Sequence, residues 1–289
     1  MTHARSFQIL SASTALMVSA CAADESPSDS ADAADGTVVH MLRVRNPNSA
    51  RIVSDAITPR IAGLTYFGGP LLNHINVHPV FWNSATKLQS NLNAFYPAIV
   101  GGSPLWAVLA QYNIGSGTAF NGIVDTNVTR NVSDATVQSR ISALITAGRL
   151  PAPTANTYYP VHFPSGMTIT ASDGSQSCVV FCEYHSTFVR SGVNVNYGVI
   201  PDLAQAGCNG GCGGSTVTNN TDAIATHVLA EAATDPAIGL ATVFGPPLAW
   251  YDQVDNDEIA DLCNGIQGSS AGFTVQKLWS NAAHACVDH

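Results

Sequence analysis

The sequence predicts an α/β fold: a single domain with a mixed sheet and flanking helices, stapled by disulfides. Three observations carry that expectation. Strand-like alternation and helical spacing follow one another along the body of the chain. No Pro/Ser-rich linker interrupts residues 60–289, so one domain is favoured over two small ones. Six cysteines remain after Cys21, an even number. A chain of 289 residues has ample core for this, since a domain that long buries roughly 75% of its unfolded surface. Charged residues are only 11% of the total, against about 25% in an average soluble domain. The net charge is −9 with 11 basic residues, which excludes nucleic-acid binding through a basic surface. No run of about 18 apolar residues marks a transmembrane helix.

The N-terminus comes first. Met1 to Arg5 is a short basic start, and Phe7 to Ala20 is apolar and small. Val18-Ser19-Ala20-Cys21 resembles the lipobox of bacterial lipoproteins, with Cys21 as the lipidated residue. Residues 1–20 are then a lipoprotein signal peptide, and the membrane is a partner through the lipid. An ordinary signal peptide cut near Ala20 or Ala22 is the alternative. Ala22 to Gly36 has five acids and no large apolar residue, so residues 21–59 are expected to be a disordered acidic tether and linker. Either route places the protein outside the cytoplasm, in a cell envelope or secreted.

Within the body, Phe67-Gly68-Gly69-Pro70 is a turn signal. Ile75 to Trp82 alternates as a strand, with Pro79 at an edge or bulge. Residues 85–96 and 104–112 have helical spacing. Residues 134–147 form the clearest amphipathic helix, with Val137, Ile141 and Ile145 every fourth position, Ser133 or Asp134 at its start and Gly148 at its end. Tyr158 to Phe163 and Tyr197 to Ile200 read as strands. Thr221 to Thr234 reads as a helix stopped by Asp235-Pro236. The remainder is expected to be loop with short elements.

Export also bears on the cysteines. In an oxidising compartment Cys178, Cys182, Cys208, Cys212, Cys263 and Cys286 read as three disulfides. Cys263 with Cys286 is the natural late pair. The pairing of the other four stays open, and a zinc ion held by all four is an alternative the spacing permits. The glycine-rich 207–214 lacks the lysine of a phosphate loop and reads as a disulfide-bearing turn.

The chemistry concentrates in Thr226 to Pro236. His227, Glu231 and Asp235 lie four apart, on one face of a helix otherwise made mainly of small and aliphatic residues. An imidazole and a carboxylate at that spacing can close on one metal ion, as the two histidines of H-E-x-x-H do. Glu258 is the expected third ligand. Asp235, Asp252, Asp261 and His185 are alternative ligands or groups that orient the ligands. Zinc is the expected ion. Calcium on Asp252, Asp255 and Asp257 is an alternative without the EF-hand spacing. A structural hydrogen-bonded pair, rather than ligation, is the plain alternative for His227 and Glu231. Trp250 and Tyr251 read as core or rim aromatics. No Gly-x-Ser-x-Gly elbow is present.

These residues carry a family resemblance. His227-x3-Glu231-x2-Thr234-Asp235-Pro236, Trp250-Tyr251-Asp252 and Glu258-Ile-Ala-Asp261-Leu-Cys263-Asn264 resemble the phosphate-induced protein 1 / EXORDIUM-like family. Phe67-Gly68-Gly69-Pro70-Leu71-Leu72, Val80-Phe81-Trp82, the paired Cys-x3-Cys motifs and Phe181-Cys182-Glu183-Tyr184-His185 add to it. The resemblance spans about residues 65–289 and implies an exported, growth-associated factor with no established reaction. It gives residues 60–289 as an EXORDIUM-like α/β domain with a zincin-like metal-site helix. Where the family pattern has His-Glu-Leu-Ala-Glu, this chain has Val228 at the first glutamate. That glutamate position is the general base of a zinc peptidase, and losing such a base costs about 10²–10⁴ in rate. The expectation is thus an impaired peptidase-like hydrolase at most. The other reading is a non-catalytic module that binds an extracellular protein or peptide, or a purely structural envelope protein.

Overall fold

Eight strands in the first two thirds of the chain make one sheet: β1 (Met41–Arg43), β2 (Asn76–Val77), β3 (Val80–Phe81), β4 (Thr118–Ala119), β5 (Ile123–Val124), β6 (Thr157–His162), β7 (Phe181–Arg190) and β8 (Val193–Ile200). The computed structural model describes residues 41–44, 63–126, 129–242, 244–253 and 256–289. The expected signal peptide, Cys21, nearly all of the tether, and Asp255 lie outside them. The order is β1-β7-β8-β6-β2-β4, with β3 pairing both β6 and β5. The strand β7 runs antiparallel to both of its neighbours, β1 and β8, and every other pairing in the sheet is parallel. A mixed sheet in one α/β body is therefore what this sequence builds.

Pro79 divides the first predicted strand in two. Proline has no N–H to give the ladder, yet Asn76 faces Thr157 and Val80 faces Val161 in one unbroken parallel register. The proline interrupts hydrogen bonding without slipping the strand. Ser191 and Gly192 both have positive φ, the conformation that closes a tight hairpin between β7 and β8.

Apolar layers cover both faces of the sheet. Tyr158 and Tyr159 are successive residues of β6 and enter opposite layers, as the alternation of strand side chains requires. One layer holds α1 (Gln89–Val100) and α3 (Val217–Thr234), through residues such as Leu92, Phe95, Ile99 and Leu229. The other holds α2 (Asp134–Thr146), through Val137, Ile141 and Leu144. The start of α2 is capped by Ser133, whose hydroxyl accepts from the Thr136 amide, and Gly148 ends the turn beyond it at φ +68. The helix expected at 85–96 starts later. Asn83 side-chain and backbone oxygens accept from Ala85 and Thr86 and hold that stretch as a turn. The 104–112 segment is a short α-helix running into a 3₁₀ turn.

The helix α3 begins four residues before its expected start, because Thr216 caps it by accepting from Asn219 N. Every residue from Asn220 to Thr234 is buried, as expected of a helix covered on all sides. One side lies on β7 and β8, and the other is covered by the hairpin β9 (Gln267–Ser270) and β10 (Phe273–Gln276). Gly198 on β8 lets the helix come this close: a Cβ there would overlap the Tyr158 hydroxyl and press Val228 Cγ2.

Three disulfides join Cys178 to Cys208, Cys182 to Cys212 and Cys263 to Cys286. The four-cysteine zinc alternative is thereby corrected: those sulfurs are consumed in two bridges. Closing loops of this size stabilises by roughly 3 kcal/mol each on the chain-entropy model. Among the described residues, no single helix is long and apolar enough to cross a membrane.

Candidate metal centre

Three segments bring six titratable side chains to one buried place. The helix α3 supplies His227 and Glu231, one turn apart. The strand β7 supplies Glu183 and His185, two apart and hence on one face. The loop after Trp250-Tyr251 supplies Glu258 and Asp261. A fourth segment, β10, adds Gln276 at the edge. Glu183, His185, His227, Glu231 and Glu258 are all buried, and the Asp261 side chain is 15% exposed.

His227 Nε2 lies 2.9 Å from Glu231 Oε1 and 3.5 Å from both Glu183 Oε1 and Asp261 Oδ1. His185 Nε2 lies 3.1 Å from Glu258 Oε2 and 3.9 Å from Glu231 Oε2. Two sets of atoms could hold a metal ion: Glu183, His227 and Glu231, and His185, Glu231 and Glu258, with all atoms of a set within 4.8 Å of one another. The trio expected from sequence, His227, Glu231 and Glu258, is thus shared out between two sets joined by Glu231. Glu183 is the candidate ligand that sequence reasoning missed. Its signal was the spacing of Glu183 and His185, two apart in one strand.

The electrostatics agree on what the cluster needs. Burial pushes Glu183 up to about 8; His227 opposes, while Glu231 and Asp261 reinforce. Burial likewise pushes Glu231 up to about 7, with His227 opposing and Asp261 and Glu258 adding. For His227, burial lowers the pKa, but Glu231, Asp261 and Glu183 outweigh it and hold the imidazole well above its ordinary range. Both directions describe one condition: crowded carboxylates that favour positive charge, as protons or as a metal ion.

Gln276 Nε2 donates to His227 Nδ1 at 2.8 Å and to the Ala260 carbonyl at 2.7 Å. With Nδ1 accepting, the ring proton of neutral His227 sits on Nε2 and faces the carboxylates. A cation at Nε2 requires that proton to move to Nδ1 and the Gln276 amide to present its oxygen there.

The other expected residues have structural places. Asp235 Oδ1 accepts from Ala249 N at 2.9 Å. Asp252 and Asp257 exchange backbone hydrogen bonds, and neither belongs to a metal-capable set among the described residues. Asp261 Oδ2 accepts from Glu258 N at 3.2 Å and fixes that turn. Trp250 packs at a tilt on Tyr66 and edge-on against Tyr112, and donates to the Tyr112 carbonyl. Val228 is fully buried in the layer around Gly198, not facing solvent. A cavity of about 160 Å³ shares Gln276 with the cluster and is also lined by Arg43, Cys182, Gly211 and Asn264. It is smaller than the roughly 300–1,000 Å³ of ordinary ligand pockets.

These features define a disulfide-stapled α/β protein with a buried His/Glu group able to hold a metal ion. Its bridges are consistent with an extracytoplasmic, oxidising compartment. The chain is similar to Protein EXORDIUM-like 3 of Arabidopsis thaliana, 26% identical over 266 residues, covering 74% of this chain and 73% of the relative. That similarity supports the EXORDIUM resemblance read from the motifs. No family model matches the chain, and no solved structure matches it.

Proposed function

We propose that the protein is an extracytoplasmic EXORDIUM-type module, exported by its N-terminal segment and held at a cell envelope by a lipid on Cys21. Its buried His/Glu cluster holds a divalent cation that ties the 252–263 loop to α3 and β7. The observation that carries this reading is the convergence of two imidazoles and four carboxylates from three segments into one buried volume. Mixed imidazole and carboxylate ligands suit zinc better than calcium, which prefers oxygen alone. In this reading His227 and Glu231 repeat the ligand spacing of a zincin helix, but the site does not hydrolyse peptides. A catalytic zinc keeps a coordination position open to substrate, whereas these ligands are buried, and Val228 occupies the base position. The module acts by binding an extracellular protein or peptide.

Elemental analysis of the purified chain, after exposure to zinc and calcium, tests the cation. Bound metal near stoichiometry, with a chelator lowering the thermal midpoint, is expected. Less than about a tenth of an equivalent of any divalent metal would end the metal reading.

A further inference from the structure

We infer that the cluster is built for a pair of divalent cations bridged by the Glu231 carboxylate. This rests on the metal reading above and goes beyond it in stoichiometry and in the role of one residue. The two metal-capable sets are not alternatives competing for the same atoms. Each has its own imidazole and its own glutamate: His227 with Glu183, and His185 with Glu258. They share Glu231 alone, and its two oxygens divide between them. Oε1 is the one nearest His227 Nε2, and Oε2 the one nearest His185 Nε2. A carboxylate whose oxygens face two imidazoles has the disposition of a bridging ligand. Two-metal sites place their ions about 3.5–4 Å apart, the span a bridge of this kind covers.

A second observation is independent of the clustering. His227 Nε2 and Glu231 Oε1 are buried and 2.9 Å apart, an ion-pair contact without the alignment of a good hydrogen bond. Buried polar atoms are nearly always hydrogen-bonded. Two such atoms in contact but poorly aligned as donor and acceptor are available as ligands of one ion. Charge supports the count. One divalent cation neutralises two of the carboxylates Glu183, Glu231, Glu258 and Asp261, and two cations neutralise all four. One imidazole and several carboxylate oxygens per ion suit zinc or manganese.

The test uses the full chain, stripped with a chelator and reloaded separately with Zn²⁺ and Mn²⁺. Elemental analysis is expected to give about two equivalents, and the manganese form a spin-coupled electron paramagnetic resonance signal of two neighbouring ions. His185→Ala is expected to retain one equivalent and lose the coupled signal. Glu231→Gln, which keeps shape, is expected to lose the coupling whatever metal it retains. One equivalent with an uncoupled spectrum in the unaltered protein would overturn the pair while leaving the single-cation reading standing. No metal at all would overturn both. The unaltered protein alone decides between these outcomes, so a variant that fails to fold does not remove the test.

Discussion

Without a bound cation, this protein is expected to lose stability as pH rises. A glutamate in the unfolded chain titrates at its ordinary value of 4.5, whereas Glu183 in the folded chain is pushed up to about 8 by burial. Between those values the native state keeps a proton that the unfolded chain has released, so stability declines with pH across the window. The raised His227 acts in the same sense: its contribution is fully present below the unfolded value of 6.5 and is lost as pH rises through the folded one. For Glu183 alone, moving from about pH 5 to about pH 8 removes on the order of 4 kcal/mol, at about 1.36 kcal/mol per unit. For a domain this large that is a fall of about 10 °C in thermal midpoint. Bound cations replace those protons, so the loaded protein is expected to lose little over the same range. The assay is thermal unfolding followed by circular dichroism, with chelator and with zinc. A chelated protein whose midpoint stays level or climbs between those two pH values would refute the reasoning.

Val228→Glu is expected to destabilise by at least about 3 kcal/mol rather than create a peptidase, because Val228 is buried beside Gly198; a well-folded variant with new proteolysis of an unstructured substrate would contradict this. Gly198→Ala is expected to cost about 1–3 kcal/mol by overpacking the helix–sheet contact, read by chemical denaturation; an unchanged midpoint would mean the contact yields freely. Gln276→Leu is expected to weaken zinc affinity about 10- to 100-fold by removing the partner of His227 Nδ1, while Gln276→Glu preserves it; competition against a chromophoric chelator separates them, and equal affinities would show that Gln276 has no part in orienting the ring.

Much of the fold was legible in local pattern. The apolar period of α2, its Ser133 cap and Gly148 stop all sit where the sequence places them. Cys263 pairs with Cys286 as expected. The strand β7 escaped detection, and the reason is chemical. Residues 181–187 are buried, but Glu183, His185, Ser186 and Thr187 erase the apolar alternation that marks a strand. Two of the polar residues hiding the element, Glu183 and His185, furnish a third of the cluster. His227 and Glu231 could be found because a helix fixes its neighbours at four residues. The approach of Glu183 to His227 could not, since it depends on how β7 and α3 cross in space. For the same reason the pairing of Cys178 with Cys208 was undetermined until the turn at 207–214 had a place.

The covering of α3 by β9 and β10 has a consequence for how cells police this protein. Residues 267–276 roof over a helix buried along nearly its whole length, so a polypeptide truncated before residue 267 exposes its Val217–Thr234 flank to solvent. Such fragments are expected to aggregate or be proteolysed readily, because they show a surface that the complete fold keeps covered.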